Sequence, residues 1–390
     1  MKGMKTLSSG RNRRKWIYVL LLMGLLGLSG CGSPSSASVE MSSQTELVKT
    51  GSMELQYAEN FAVDYYEDGY KMLTTLPDSK RYLIVPEGQP VPRGLDEDVS
   101  ILQEPLQNIY LVASGVMDMF ASVDAVDQIR FSGQKQENWY IQTAKDAMAA
   151  GDMIYAGKYS KPDYELLVSE GCDLAIENRM ITHSPEVVEM LQSFDIPVMI
   201  EYSSYEQHPL GKVEWVKFFG ALTGKEAEAE EAFAEQTEIL EKVERGEKTG
   251  KTIAFFYVTS NGLIQVRQST DYIPKLIELA GGRYIFEDLE DSGSGRSTLN
   301  MQVEDFYAGA KDADILIYNS SIDGGVTTLD ELIGKCNILK DFKALQEGQV
   351  YCTTNDMYQQ SMAIGYLLQD MHTVLTDDDT AKLRYLFLLQ

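Results

Sequence analysis

The chain has 390 residues, 44% of them apolar and 24% charged, which suits two or three folded domains and argues against a disordered or fibrous protein. Its 34 Lys and Arg residues stand against 59 Asp and Glu, a net charge of −25. This balance argues against binding to nucleic acid or to anionic lipid, because both need clustered basic residues. With three His, four Cys and neither a CxxC nor an HExxH spacing, no transition-metal site is predicted.

Residues 1–30 are predicted to be a lipoprotein signal peptide. A basic stretch from Arg11 to Lys15 precedes the apolar run 17–28, which at about 1.5 Å per residue falls well short of a roughly 30 Å hydrocarbon core. The run ends in small residues before Cys31 and resembles a bacterial lipobox. We therefore expect Cys31 to be lipidated and to begin the mature chain. The alternative is an ordinary signal peptide in which Cys31 is incidental.

Residues 31–56 are predicted to be a flexible tether, because they are rich in Ser and poor in large apolar side chains. An acyl anchor and a tether would hold the folded part at the extracytoplasmic face of the cell membrane. Three cysteines remain there, so not all of them can pair. We expect Cys172 to be a buried thiol, while Cys336 and Cys352 could form a disulfide or stay free.

Two series of strand-like runs alternate with helix-like stretches along the rest of the chain. The runs include YLIV (82–85), NIYLVA (108–113), AVDQIRF (125–131), LAIEN (174–178), VMIEY (198–202), TIAFFYVT (252–259), LIQVR (263–267) and ILIYN (315–319). Apolar strands separated by amphipathic helices are typical of parallel sheets covered on both faces. The sequence therefore predicts an N-terminal α/β lobe over 57–224 and a C-terminal α/β lobe over 247–390.

A highly charged segment, 225–246, lies between the two predicted lobes. Its apolar residues recur at three- and four-residue spacing, which predicts an amphipathic helix of roughly 33 Å. A single long helix joining two lobes would permit only limited hinge motion. The alternative is an ordinary surface helix of the second lobe.

No catalytic motif is found. The sequence has no GxSxG elbow and no GxxxxGK[ST] loop, and DSGSGRST (291–298) is interpreted as a loop because it lacks the Lys and a preceding strand. His208 is interpreted as a turn residue before a helix. We therefore expect a protein that is not an enzyme and that needs no cofactor or resident metal.

Four segments carry a resemblance in the order 175–233, 261–288, 304–321 and 339–353. They resemble the helical-backbone substrate-binding lipoproteins of bacterial ABC importers, which serve ferric siderophores, haem and cobalamin. The resemblance covers roughly residues 57–376. It implies two Rossmann-like lobes joined by one long helix, a ligand cleft between them, and a monomer that delivers its cargo to a permease dimer with ATPase subunits.

Two glutamates match the positions by which the similar proteins dock on the permease. Glu165 begins a helix-like stretch that leads to Asp173 and a strand, and Glu304 occupies the corresponding place before Asp314. The resemblance implies that each carboxylate meets arginines of the permease. The alternative for both is a carboxylate favoured by the helix dipole alone.

The cleft is expected outside the carboxyl ends of the strands of both lobes. Side chains just past those ends, together with those matching the family pattern, are the candidate ligand-binding residues Arg267, Arg179, Arg130, Tyr202, Tyr205, Tyr272 and Trp139, with Arg296, Asn355 and Tyr358 as secondary candidates. Arginines would reverse the acidic field locally and could bind an anionic ferric chelate. The alternative for each arginine is a surface residue paired to an acid.

These features lead to an extracytoplasmic, membrane-anchored receptor for an iron complex, most readily a ferric siderophore, that serves an ABC permease. A haem receptor would need an axial His, Tyr or Met in the cleft. A cobalamin receptor would have an aromatic lining. A structural or adhesive lipoprotein would have no cleft.

Overall fold

The computed structural model describes residues 47–289, 297–320, 325–377 and 380–390. The predicted signal peptide, Cys31 and Arg296 lie outside these residues. Within them, none of the helices is both long enough and apolar enough to cross a membrane.

The first sheet was not predicted from the sequence as a separate unit. Its five strands, in spatial and chain order, are β1 (Lys49–Ser52), β2 (Phe61–Tyr66), β3 (Lys71–Thr75), β4 (Lys80–Val85) and β5 (Val99–Gln103). The pairs are antiparallel except for the parallel pair β4–β5. The predicted tether is therefore too long, because β1 begins at Lys49, and YLIV belongs to this sheet rather than to a parallel lobe.

The second sheet forms the core of the N-terminal lobe and is entirely parallel. Its spatial order is β12 (Val198–Glu201), β11 (Leu174–Asn178), β6 (Ile109–Leu111), β7 (Ile129–Ser132) and β8 (Ile154–Tyr155). Helices α1 (Val116–Ser122), α2 (Gln142–Ala150), α3 (Tyr164–Ser169) and α4 (Pro185–Ser193) connect these strands, with a short ladder of β9 (Gly157–Lys158) and β10 (Lys161–Pro162). Apolar side chains are buried on both faces of the sheet, as the continuous apolar strands predicted.

Two long helices lead from the N-terminal lobe to the C-terminal lobe. Helix α5 (Pro209–Thr223) is buried on all sides except at its last residue, and it contacts α1 of the first lobe. Helix α6 (Glu226–Glu244) confirms the helix predicted over 225–246, with Ala229, Phe233 and Leu240 on its buried stripe. Along this connection α6 packs on α5.

The third sheet belongs to the C-terminal lobe and is mixed, where a parallel sheet had been predicted. Its spatial order is β16 (Thr298–Met301), β14 (Ile264–Arg267), β13 (Thr252–Val258), β17 (Ile315–Tyr318), β18 (Val350–Thr353) and β19 (Leu386–Leu388), with β15 (Arg283–Tyr284) paired to β13. The pairs β13–β17, β17–β18 and β13–β15 are parallel, and the others are antiparallel. Its helices are α7 (Tyr272–Leu279), α8 (Val303–Ala310), α9 (Leu329–Lys335), α10 (Lys343–Gln346) and α11 (Ile364–Thr376). Helices α7 and α11 also contact α5.

Two buried carboxylates attach the segment between β1 and β2 to α5 and to the turn that precedes it. Glu214, fully buried on α5, accepts hydrogen bonds from the backbone N–H groups of Gln56, Tyr57 and Ala58 at 2.8 to 3.1 Å. Glu206 accepts from the next two N–H groups and from the indole of Trp215. These bonds satisfy five backbone donors that β2 does not engage, so the segment between β1 and β2 is held against α5.

The three cysteines of the described residues form no disulfide. Cys336 and Cys352 are buried thiols and do not form the disulfide considered from the sequence, and the Cys352 thiol donates to the Val326 carbonyl. Cys172 is largely buried, and this burial raises the pKa of its thiol to about 12. It is therefore an unreactive thiol at neutral pH.

Candidate functional site

A cavity of about 290 Å³ lies between the two lobes. The N-terminal lobe and α5 line it with Ser114, Gly115, Asn178, Arg179, Met180, Glu201, Ser204, Tyr205 and Lys212, and the C-terminal lobe with Arg267, Asp271, Tyr272, Ser297, Tyr358 and Ser361. The first-lobe residues follow the carboxyl ends of β6, β11 and β12, which is where an open parallel sheet places its ligands. Of the predicted residues, Arg179, Tyr205, Arg267, Tyr272 and Tyr358 are brought together here.

Basic side chains pack against tyrosine rings on both sides of the cavity. The Arg179 guanidinium lies 4.6 Å from the centre of the Tyr205 ring, and the Lys212 ammonium lies 4.7 Å from that of Tyr272. Cation–π contacts of this kind hold a charged group in a fixed place at the cavity wall. One face of each ring is thereby occupied by a cation.

Arg267 forms an ion pair with the buried carboxylate of Asp271, with 3.4 Å between Nη1 and Oδ2. Asp271 also accepts the backbone N–H of Ile273 and so caps α7. Burial raises the pKa of Asp271, and the positive charge of Arg267 opposes this rise. The strand-end rule that predicted Arg267 does not explain its position, because β14 runs antiparallel to β13.

The charge balance of the cavity is opposite in sign to that of the whole chain. Arg179, Lys212 and Arg267 contribute three cations, and Glu201 and Asp271 contribute two carboxyl groups. The Glu201 carboxylate is occupied by the backbone N–H and the hydroxyl of Ser203 at 2.8 and 2.6 Å, and its burial raises its pKa. The cavity thus has an excess of positive charge in a chain of net charge −25, a field that attracts anions.

Direct hydrogen bonds join the two lobes beside this cavity. The Asp118 carboxylate in α1 accepts the backbone N–H of Met362 at 2.7 Å. The Gln359 side chain accepts from the N–H of Tyr140 at 2.8 Å and donates to the carbonyl of Asn138 at 2.9 Å. The loop after β18, which supplies Tyr358 and Ser361 to the cavity, is therefore attached to the N-terminal lobe.

Three predicted ligand residues do not line the cavity. Arg130 is the second residue of β7, not a residue past a strand end, and its side chain binds Glu170 and two backbone carbonyls. Trp139 is fully buried and donates to the Ser132 hydroxyl at 3.0 Å. Tyr202 is 7% exposed and packs edge-on against Tyr205. Each side chain is engaged by other groups of the protein, so the assignment of Arg130, Trp139 and Tyr202 to the ligand site is wrong.

The secondary candidate Asn355 and the turn residue His208 both lie outside the cavity lining. Asn355 accepts a hydrogen bond from the Ser320 hydroxyl at 3.1 Å and does not line the cavity. His208 caps α5 by accepting the N–H of Leu210, which confirms its interpretation as a turn residue. Its ring also stacks on Tyr57 at 4.5 Å.

Sequence reasoning missed Lys212 and Ser361. A signal for Lys212 existed, since the segment PLGKVEWVKFFGALT (209–223) has too few polar residues to form a solvent-facing side. A lysine in such a helix is forced towards the interior or towards a cavity. No sequence pattern indicated Ser361, whose position depends on the contact between the lobes.

The two glutamates expected to dock on a permease occupy equivalent places in the two lobes. Glu165 and Glu304 are both exposed in the first turn of a helix, α3 and α8, that leads into a parallel strand, β11 and β17. Asp173 and Asp314, at the starts of these strands, accept backbone N–H groups from neighbouring chain segments. The two lobes thus repeat one local arrangement.

Comparisons with known proteins agree with this architecture. No family model matches the chain. It is 24% identical over 394 residues to an uncharacterized lipoprotein of Methanocaldococcus jannaschii, covering 92% of both chains. Among solved structures, it is similar to the periplasmic heme-binding protein HutB of Vibrio cholerae, with a TM-score of 0.54, 14% identity, and coverage of 68% of this chain and 98% of that one.

A second solved structure belongs to an ABC-type Fe³⁺-hydroxamate transport system of Saccharomonospora viridis. Its TM-score is 0.53 at 16% identity, and the match covers 69% of this chain and 93% of that one. At these identities the likeness concerns the fold. The chain therefore has the two-lobed α/β fold of the periplasmic solute-binding proteins, as expected from the sequence.

Burial of the Asp118 carboxyl group makes the stability of the fold depend on pH. Burial raises the pKa of Asp118 to about 6 from its ordinary value of 3.8. The folded state therefore holds a proton that the unfolded state releases, and stability falls as pH rises from about 4 to about 6. We expect Asp118→Asn, whose carbonyl can still accept the Met362 N–H, to remove this loss and to be more stable at pH 7 by up to about 3 kcal/mol.

The measurement is urea unfolding of the wild type and of Asp118→Asn at intervals from pH 4 to pH 7. The exposed Asp127→Asn variant controls for the loss of one negative charge. A difference between wild type and Asp118→Asn that stays constant over this range would contradict the assignment.

Proposed function

We propose that this protein is an extracytoplasmic solute-binding receptor that captures an anionic iron complex, most readily a ferric siderophore, and delivers it to an ABC permease without chemical change. The observation that carries the proposal is the group of three basic side chains, Arg179, Lys212 and Arg267, around a cavity between two lobes of an acidic chain. Guanidinium groups suit the oxygen atoms of carboxylate, catecholate and hydroxamate ligands. The names of structurally similar proteins include haem binding and ferric hydroxamate transport.

Haem is the second candidate cargo, and cobalamin the third. In favour of haem, the lining includes Tyr205, Tyr358 and Met180, each at least 38% exposed and each of a type that can bind haem iron. Against haem, cobalamin and bulky chelates alike, about 290 Å³ lies just below the usual volumes of small-molecule sites, roughly 300 to 1,000 Å³. The size of the cavity supports a compact chelate.

Ligand titration tests this proposal. The full chain in mild detergent is titrated with a ferric catecholate, a ferric hydroxamate, ferric citrate, haemin and cobalamin, following tryptophan fluorescence after inner-filter correction. Trp215 lies one turn after Lys212 on α5 and is a suitable reporter. We expect saturable, sub-micromolar quenching by an anionic ferric chelate, and Arg179→Gln or Arg267→Ala should weaken it ten-fold or more, about 1.4 kcal/mol.

The matched control is Arg130→Gln, because Arg130 binds Glu170 outside the cavity. Thermal unfolding of Arg267→Ala is measured in parallel, since this variant leaves Asp271 without its ion-pair partner. If Arg130→Gln and Arg179→Gln lose cargo affinity equally, the assignment of the cavity arginines to ligand binding is wrong. An absence of saturation with every cargo would overturn the iron proposal.

Delivery to a permease depends, in this proposal, on Glu165 and Glu304. Both carboxylates are exposed and lie at equivalent positions in the two lobes. We expect the double charge reversal Glu165→Lys with Glu304→Lys to abolish cargo uptake by cells while leaving cargo affinity within a few-fold. The matched control is Glu186→Lys with Asp330→Lys, because these carboxylates also lie at the surface in the first turns of helices, α4 and α9, one in each lobe. Unimpaired uptake by the first double variant would refute the docking role.

Membrane attachment is proposed to depend on Cys31. The lipobox-like residues before Cys31 and the similarity to a lipoprotein support an acyl anchor. We expect Cys31→Ser to shift the protein from the membrane fraction to the soluble fraction after cell lysis, measured by fractionation and immunoblotting. Cys172→Ser is the control, because Cys172 lies in the folded part of the chain. Continued tight membrane association of Cys31→Ser would contradict a lipid anchor at this residue.

A further inference from the structure

Among the described residues, Lys212 differs from the other buried lysine of α5 in forming no close ion pair. Lys217 is buried and lies 3.5 Å from the carboxylate of Glu214 and 3.0 Å from that of Glu230. Lys212 is only 6% exposed, yet in the part of the chain that the structure describes its ammonium forms no ion pair within 4.0 Å, and its contact is with the Tyr272 ring. A buried charge without a partner is costly, so a stable protein keeps one mainly where something else binds it.

The acidic groups around Lys212 are already engaged elsewhere. Asp118, Glu201 and Asp271 all experience the charge of Lys212. Asp118 accepts the Met362 N–H, Glu201 accepts from Ser203, and Asp271 is shared between Ile273 and Arg267. The Lys212 ammonium thus faces the cavity with donors that these carboxylates do not use.

Ser361 is the second unsatisfied group of the cavity wall. Its hydroxyl is buried and has no hydrogen-bond partner among the described residues, and the residue is 1% exposed. Its position is fixed, because the next N–H, that of Met362, is bound by Asp118. A Cβ atom on Gly115 would lie 3.0 Å from the Ser361 oxygen, so the glycine keeps the space beside this hydroxyl open.

We propose that Lys212 Nζ and Ser361 Oγ form an oxyanion subsite, which takes a carboxylate or similar oxyanion of the cargo that does not coordinate the metal. The inference rests on the proposed function and narrows its substrate class to compact, oxygen-rich anionic chelates such as ferric polycarboxylates. The ammonium supplies up to three donors and the hydroxyl one. An oxyanion supplies a close negative charge to the Lys212 ammonium and a hydrogen-bond acceptor to the Ser361 hydroxyl.

Affinity measurements on the full chain in mild detergent test the subsite. The probes are ferric citrate, metal-free citrate and a neutral ferric trihydroxamate. We expect Lys212→Met to weaken binding of both citrate forms ten-fold or more and to change binding of the trihydroxamate less than two-fold. Ser361→Ala and Gly115→Ala should weaken citrate binding in the same direction, the first by removing a donor and the second by filling the space beside it.

Lys275→Met is the matched control, because it removes one positive charge on α7 from a residue outside this cavity. It should change citrate affinity less than two-fold. The thermal unfolding midpoint separates binding from structure: Lys212→Met should keep or raise the midpoint in the absence of ligand, since an unpaired buried cation is removed. A lowered midpoint with unchanged citrate affinity would make Lys212 a structural residue and overturn the subsite.

The outcomes for the subsite and for the proposed function can be told apart. If the wild type binds metal-free citrate but no iron complex, and Lys212→Met loses that binding, the subsite holds and the iron function falls. If the wild type binds the neutral trihydroxamate and neither citrate form, the iron function holds and the subsite falls. Citrate binding that is equal in wild type and Lys212→Met also overturns the subsite.

Discussion

The burial of the Glu214 carboxylate on α5 is the constraint on which much of the architecture depends. This side chain is fully buried and binds the N–H groups of three consecutive residues, 56–58, while Lys217 supplies the opposite charge. The segment between β1 and β2 is thereby held against α5, and Gly211 makes the close approach feasible, since a Cβ there would lie 2.9 Å from the Tyr57 carbonyl oxygen. The helix stabilised in this way also carries Lys212 into the cavity between the lobes.

The same chemistry recurs wherever distant segments meet. Asp370 in α11 accepts the N–H groups of Arg384, Tyr385 and Leu386 and so attaches the last strand. Asp173 and Asp314 bind backbone groups at the starts of two parallel strands. Part of the large acidic excess of this chain is therefore internal, because carboxylates act as acceptors for backbone donors that no ladder engages.

The sequence predicted the parts of the structure that depend on local pattern. Helix α6 followed from its apolar spacing, and Arg179 and Tyr205 followed from the rule for the carboxyl ends of parallel strands. Arg130 was misplaced because residues 126–128 form a turn of 3-10 helix before β7 begins at Ile129. The first sheet was missed because short alternating runs read alike in parallel and antiparallel pairs. Ser361 and the Asp118–Met362 contact could not be predicted, because both arise from the meeting of segments more than 240 residues apart.

The loop after β18 belongs to the second lobe by its place in the sequence, but its hydrogen bonds attach it to the first lobe. Through Gln359 and Met362, this loop is bonded to residues 138–140 and to Asp118, although its sequence belongs to the second half of the protein. When one lobe moves against the other, the part of the cavity wall that carries Tyr358 and Ser361 therefore moves with the first lobe. Recombination between relatives at the helical connection would combine the loop after β18 of one parent with the first-lobe residues that bind this loop, Asp118 and 138–140, of the other parent. The binding properties of such a chimera would then follow neither parent.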